Sequence, residues 1–295
     1  MPLSAEIFAG PLDREWQKDS PDVSLFWLGQ AGFAVKVGPL RFLIDPYLSD
    51  SLARKYTGTA LPHERMMAAP IRPEQLGPIN YVFCTHRHGD HMDPETISAL
   101  AERNSDLRVI VPTPEMGHAA SLNIPKNCLL GAEADTLMSL DGGLSINPLP
   151  SAHEEFRTDE NGAHHFLGYV FQIGGLAVYH SGDTIPYDGL RERLERKKIA
   201  LALLPVNGRD PMRRRHGIPG NFHLQEAIQL CIDCKIMAMI GHHFGMFEFN
   251  TVLPELIDKA GAEQSDVTVM RAQLKVRYGL GVPCAPDQIT TTFSV

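Results

Sequence analysis

Four potential metal ligands, His86, His88, Asp90 and His91, fall within six residues of the stretch Thr85-His86-Arg87-His88-Gly89-Asp90-His91-Met92-Asp93. His86 and His88 alternate along an extended segment and can face one point. Gly89 then bends the chain, so that Asp90 and His91 can reach that point from another side. Neutral imidazole nitrogen and carboxylate oxygen suit zinc, manganese, iron or cobalt, and no thiolate within the stretch narrows the choice. The chemistry that such ions offer is the activation of water for hydrolysis.

The flanking residues show how this cluster is presented. Tyr81-Val82-Phe83-Cys84 reads as a short buried strand, and the residues from Pro94 onward as a helix with Asp93 as N-cap, so the cluster forms a strand-to-helix turn. Residues 24–28, 31–37 and 41–44 are apolar runs between glycines and read as consecutive antiparallel strands. The third ends at Asp45, which serves either as an Asx turn ahead of Pro46 or as an acceptor orienting a ligand histidine. Residues 50–78, rich in Pro, Arg and Met, form a long excursion able to lie across the mouth of the site, and its His63 is not counted as a ligand.

Further on, short apolar strands alternate first with helices and then with one another, and several end in polar loops. One delivers His153. Another runs through His180 into Asp183, which a preceding glycine lets approach a metal closely. A third delivers His242 and His243, which point apart on an extended backbone, so only one of them can meet a metal. The loop 207–221 carries Arg209 and Arg213, guanidinium groups able to meet a phosphate or carboxylate. His164 and His165 either touch substrate or cap a polar hairpin, and nothing after residue 260 carries assignable chemistry.

With 43% hydrophobic and 21% charged residues, the 295-residue chain can bury a large core, and a single domain over 1–295 is expected. Its formal charge of −8 opposes non-specific attraction to nucleic acid. The N-terminus lacks a basic region followed by an apolar one, and no apolar run reaches membrane-spanning length, so a cytoplasmic protein without a membrane partner is expected. The five cysteines, Cys84, Cys128, Cys231, Cys234 and Cys284, are an odd number that fits free thiols, with the Cys231/Cys234 pair as packing.

The HxHxDH spacing after a hydrophobic strand resembles the signature of the metallo-β-lactamase fold hydrolases. The phrase Leu-Pro-Val-Asn-Gly-Arg-Asp, with Gly220-Asn221 and Gln225-Glu226-Ala227 downstream, is similar to the branch containing L-ascorbate-6-phosphate lactonase. That resemblance implies an α/β fold, a four-layer αββα sandwich. It implies His86, His88 and His153 as ligands of one ion and Asp90, His91 and His243 as ligands of the other, with Asp183 shared and His242 as the alternative to His243. It further implies one or two divalent ions, manganese or zinc, and a homo-oligomer.

Asp90, an acid flanked by ligands, is the candidate for orienting water and relaying its proton. Arg209, Arg213 and Asn221 are the candidate contacts to a small anionic substrate. The activity so implied is hydrolysis of a sugar-derived, phosphorylated lactone. A phosphodiesterase acting on RNA ends, nucleotides or phospholipid head groups is the alternative, and a metal-binding regulator without turnover is a third. Arg87 and Gly241 depart from the branch's pattern, which has an acid and a proline there; neither removes a ligand.

Overall fold

The computed structural model describes residues 3–281. Its strands are β1 (Leu3–Ile7), β2 (Val23–Gly29), β3 (Gly32–Val37), β4 (Leu40–Ile44), β5 (Tyr81–Phe83), β6 (Arg108–Pro112), β7 (Leu129–Ala132), β8 (Met138–Ser139), β9 (Ser145–Pro150), β10 (Leu167–Ile173), β11 (Leu176–His180), β12 (Leu201–Pro205), β13 (Ala238–His242), β14 (Thr268–Arg271) and β15 (Val276–Leu280). They form an eight-stranded sheet, β1-β15-β2-β3-β4-β5-β6-β7, and a seven-stranded sheet, β14-β13-β12-β11-β10-β9-β8. Each sheet is antiparallel in one half and parallel in the other, the change falling at β4 in the first and β11 in the second.

Side-chain alternation explains the layering. In β4, Phe42 and Ile44 face the second sheet while Leu43 faces outward. Between the sheets, Phe171 packs on Phe42 and Phe83 with ring centroids 5.2 and 4.9 Å apart. Burying each such ring stabilises the sandwich by about 1.5–3 kcal/mol. The outer face of the first sheet is covered by the helices Leu12–Gln17 and Pro94–Arg103, through Trp16, Ile97 and Leu100. Leu224–Asp233 and Pro254–Glu263 cover the second, through Ile228 and Ile257. This is the expected αββα sandwich.

The pairing has one functional consequence. Strands β2, β4 and β5 run in one direction within their sheet, as do β9, β11 and β13 within theirs, so the loops after each group gather on a single edge of that sheet. Those loops bring Gln30, Asp45, His86, His153, Asp183 and His243 to one rim of the sandwich.

Residues 261–281, to which the sequence assigns no chemistry, complete both sheets: β14 extends the second, and β15 inserts between β1 and β2 in the first, burying Val276, Tyr278 and Leu280. Asp93 precedes the helix as expected, yet its carboxylate does not cap the backbone. It accepts instead from the hydroxyls of Ser49 at 2.8 Å and Ser51 at 2.9 Å, tying the start of the 50–78 excursion to the histidine turn. Cys84, Cys128, Cys231 and Cys234 are free and buried; Cys284 lies outside the described residues. No described helix is long and apolar enough to cross a membrane.

Candidate metal centre

Strand β5 stops where Thr85 can be gripped from both sides. Asp45, fully buried, accepts from the Thr85 amide through Oδ1 and from the Thr85 hydroxyl through Oδ2, both at 2.7 Å. The same Oδ2 lies 2.7 Å from His91 Nδ1. A carboxylate there holds the proton on Nδ1 and leaves Nε2 facing the cluster. Asp45 is therefore the orienting acceptor rather than an isolated turn residue.

His153 is held in the same sense, its Nδ1 donating to the Gly220 carbonyl at 3.2 Å. Gly182 lets β11 come this close: it sits at φ +59, and a Cβ there would meet the Leu167 carbonyl at 2.7 Å and Thr85 at 2.8 Å. Gln30, Asp45 and His243 also adopt positive φ, at 51, 43 and 66°. Non-glycine residues in that region cost about 1–3 kcal/mol each and gather where the surroundings over-determine the backbone.

The ring nitrogens and carboxylates converge. His86, His88 and His153 form one group of ligand atoms lying within 4.8 Å of one another, and Asp90, His91 and His243 form another. Asp183 joins them, with Oδ2 at 3.6 Å from His153 Nε2, 3.4 Å from His91 Nε2 and 3.1 Å from His243 Nε2. His243, not His242, is the member of the pair that turns in. His242 is wholly buried between the sheets and stacks on His180 at 5.1 Å.

These residues fit a metal ion on grounds internal to the protein. Asp183 Oδ1 and His91 Nε2 are buried without a hydrogen-bond partner, an arrangement that costs about 1–3 kcal/mol per group unless a ligand completes it. His86 Nε2 and His88 Nδ1 face each other at 2.9 Å, two ring nitrogens aimed at one place.

Burial, reinforced by neighbouring imidazoles, holds His86 well below its ordinary pKa, and burial lowers His88 and brings His153 to about 4. Burial thus favours the neutral form of all three, the form that ligates. At His91, burial opposes the charged form, but the carboxylates of Asp183, Asp45 and Asp90 outweigh it and raise the pKa. Burial likewise opposes ionisation of Asp183, yet His243 and His91 hold it well below the carboxylate range. A cation and a proton compete for the same nitrogen of His91.

Above the cluster lies a cavity of about 430 Å³. The 50–78 excursion and the segment after β13 supply an aromatic wall in which His63 stacks on Tyr56 at 4.0 Å and meets Phe249 edge-on at 4.8 Å. His63 stands on that wall and not among the ligands. Lys55 and Arg87 also line the cavity, and neither has a carboxylate partner among the described residues.

Three expected substrate contacts are placed elsewhere. Arg209 is engaged by Glu226 through two hydrogen bonds of 2.6 Å. Arg213 is held by Asp210 and Asn250, and Asn221 donates to Asn207 at 3.1 Å. None of the three lines the cavity. His164 packs edge-on to Phe156 and His165 pairs with Glu115, both away from it.

Gln30 is the site residue that sequence reasoning missed. Its Nε2 donates to Asp90 Oδ2 at 2.9 Å and stands 3.2 Å from His243 Nε2. Its signal in the sequence was only a polar residue closing an apolar strand.

Comparison with known proteins agrees with this geometry. Residues 40–244 match the model of the Beta-lactamase superfamily domain. A UPF0173 metal-dependent hydrolase of Thermococcus onnurineus is 26% identical over 250 residues, covering 84% of this chain and 96% of that protein. The mitochondrial N-acyl-phosphatidylethanolamine-hydrolyzing phospholipase D of Saccharomyces cerevisiae is 27% identical over 228 residues, covering 75% of this chain and 47% of that protein. Among solved structures, the isothiocyanate hydrolase from Delia radicum gut bacteria superposes with a TM-score of 0.70 at 17% identity, covering 88% of this chain and 99% of that one, a likeness of fold. The chain belongs to the beta-lactamase superfamily, as a metal-dependent hydrolase with a His/Asp cluster able to bind metal.

Proposed function

We propose that the protein hydrolyses a carboxylic ester, opening a small sugar-derived lactone that carries an anionic, phosphorylated group. The observation that carries this reading is the pair of ligand sets joined by Asp183 beneath a cavity whose lining includes the cations Lys55 and Arg87, neither with a carboxylate partner among the described residues. His86, His88 and His153 would hold one ion and Asp90, His91 and His243 the other, with Asp183 touching both; the nitrogen and oxygen donors suit manganese or zinc. Such ions supply Lewis acidity, which lowers the pKa of water and polarises a carbonyl.

The chain's own residues do the rest. Asp45 and Thr85 fix the tautomer of His91. Gln30 engages one oxygen of Asp90, leaving the other to orient a water and carry its proton toward the leaving oxygen. Lys55 and Arg87 draw the anionic end of the substrate to the cavity, a role given to them here in place of Arg209 and Arg213.

A phosphodiesterase is the second reading, favoured by the similarity to the yeast phospholipase D. Protein loaded with manganese or zinc should open 6-phosphogluconolactone faster than it cleaves bis(p-nitrophenyl) phosphate or N-acyl-phosphatidylethanolamine. The reverse order replaces the first reading by the second. Full metal occupancy with no turnover of any of them leaves a metal-binding regulator.

A further inference from the structure

Behind the cavity wall runs a chain of amides whose direction is set at one end by an arginine. Asn250, 8% exposed, lines the cavity. Its Oδ1 accepts from Arg213 Nη1 at 2.8 Å and from Asn207 Nδ2 at 2.7 Å. A guanidinium has donors only, so the atom facing it must be the carbonyl oxygen, and the two ends of the Asn250 amide are thereby told apart.

Arg213 is itself pinned, donating from Nε to Asp210 Oδ2 at 2.6 Å and from Nη2 to the Asn207 carbonyl at 3.0 Å. Asn207 cannot reverse without setting its own carbonyl oxygen against Asn250 Oδ1, and in this orientation its Oδ1 accepts from Asn221 Nδ2 at 3.1 Å. The atom left over is Asn250 Nδ2. It has no partner among the described residues and belongs to a side chain on the cavity wall.

We infer that Asn250 Nδ2 is a fixed hydrogen-bond donor to an oxygen of the substrate, and that Arg213 acts through it as a positioning residue. The inference rests on the hydrolase reading above but not on which ester is cleaved, because lactone, hydroxyl and phosphoryl oxygens all accept. An amide already oriented by the protein needs no reorganisation when substrate arrives. The basic loop thus serves the substrate indirectly: its arginine aims an amide and does not itself reach the cavity.

Asn250→Asp is the informative variant, since it keeps an oxygen for Arg213 and Asn207 and removes the donor. On whichever of 6-phosphogluconolactone and bis(p-nitrophenyl) phosphate the metal-loaded protein turns over, kcat/KM should fall roughly ten- to a hundredfold with metal content and Tm unchanged. Arg213→Met, which frees the amide to turn, should lower kcat/KM less, and should lower it no further in the Asn250→Asp background, because residues acting through one contact are not additive. Wild-type rates for Asn250→Asp overturn the inference, and an additive Arg213 effect overturns the positioning role.

If Asn250→Asp fails to fold, or neither probe is turned over, the side-chain amide resonances of Asn250 in the wild-type protein decide. They should shift on titration with 6-phosphogluconate, and resonances that stay fixed at saturation overturn the assignment. Absence of lactone turnover in the wild type counts against the substrate reading alone.

Discussion

Two buried polar regions of this protein differ in one respect: whether the chain satisfies its own atoms. At one, Lys36 is 2% exposed, and its ammonium donates to the carbonyls of Glu15, Trp16 and Lys18 at 2.9, 3.1 and 2.6 Å. Three protons meet three acceptors at the C-terminal end of the helix Leu12–Gln17, where carbonyls lack intrahelical partners and a cation is favoured. At the other, Asp183 Oδ1 and His91 Nε2 are as deeply buried and lack hydrogen-bond partners. A complete polar cluster holds the fold together, whereas an incomplete one marks where something from outside must bind.

The largest effects should come from breaking the incomplete cluster. His88→Ala or Asp183→Ala should lower turnover by at least about a thousandfold, with metal content falling in parallel. The Tm of metal-free His88→Ala should change little, because His88 is only partly buried in a turn, whereas metal-free Asp183→Ala should melt lower, having lost the carboxylate that faces His91 and His243. Undiminished turnover in either variant would sink the assignment of the cluster. Metal removal tests the same point on the native chain. With metal at a thousand times its Kd, the loaded protein should melt on the order of 10 °C above the chelated one. Coincident melts would mean that the unpaired atoms do not bind an ion.

Much of this site was legible in the sequence because its residues lie close together in it. HxHxDH marks four positions by spacing, and His153, Asp183 and His243 came from the resemblance of the strand-end motifs to those of the metallo-β-lactamase fold hydrolases. Asn250, Gln30 and Lys55 were not legible, since a lone amide or lysine carries no pattern until folding brings its partner from elsewhere in the chain. Arg209 and Arg213 illustrate the converse limit. An arginine-rich loop looks the same whether its guanidinium groups face a substrate or Glu226 and Asp210. In the fold, the alternation of Val276, Tyr278 and Leu280 was present to be read, but nothing local reveals that this strand pairs between β1 and β2, at the opposite end of the chain.

A smaller effect should come from breaking the complete cluster. Lys36→Met should cost about 2–4 kcal/mol of stability by leaving the carbonyls at the helix end unpaired, a loss measurable by urea unfolding. It should leave kcat and metal content unchanged, since no ligand or cavity residue touches it. A Lys36 variant that lost metal would dissolve the distinction between the two regions.

The smallest effect lies in the pH dependence of that stability difference. Burial, reinforced by Arg41, lowers the Lys36 pKa from 10.5 to about 8. Between those two values the unfolded chain binds a proton that the folded chain has released, so raising the pH through this window favours the folded state. The penalty for burying a charged Lys36 is present in full below about 8 and has gone by about 10.5. Lys36→Met has no such group. Wild type should therefore gain stability over the variant by about 1–3 kcal/mol as pH rises from 8 to 10.5. A difference flat across that window would mean that the three carbonyls replace the lysine's hydration completely. A complete cluster would then carry no desolvation cost at all, which would sharpen its contrast with the metal centre further than the present geometry requires.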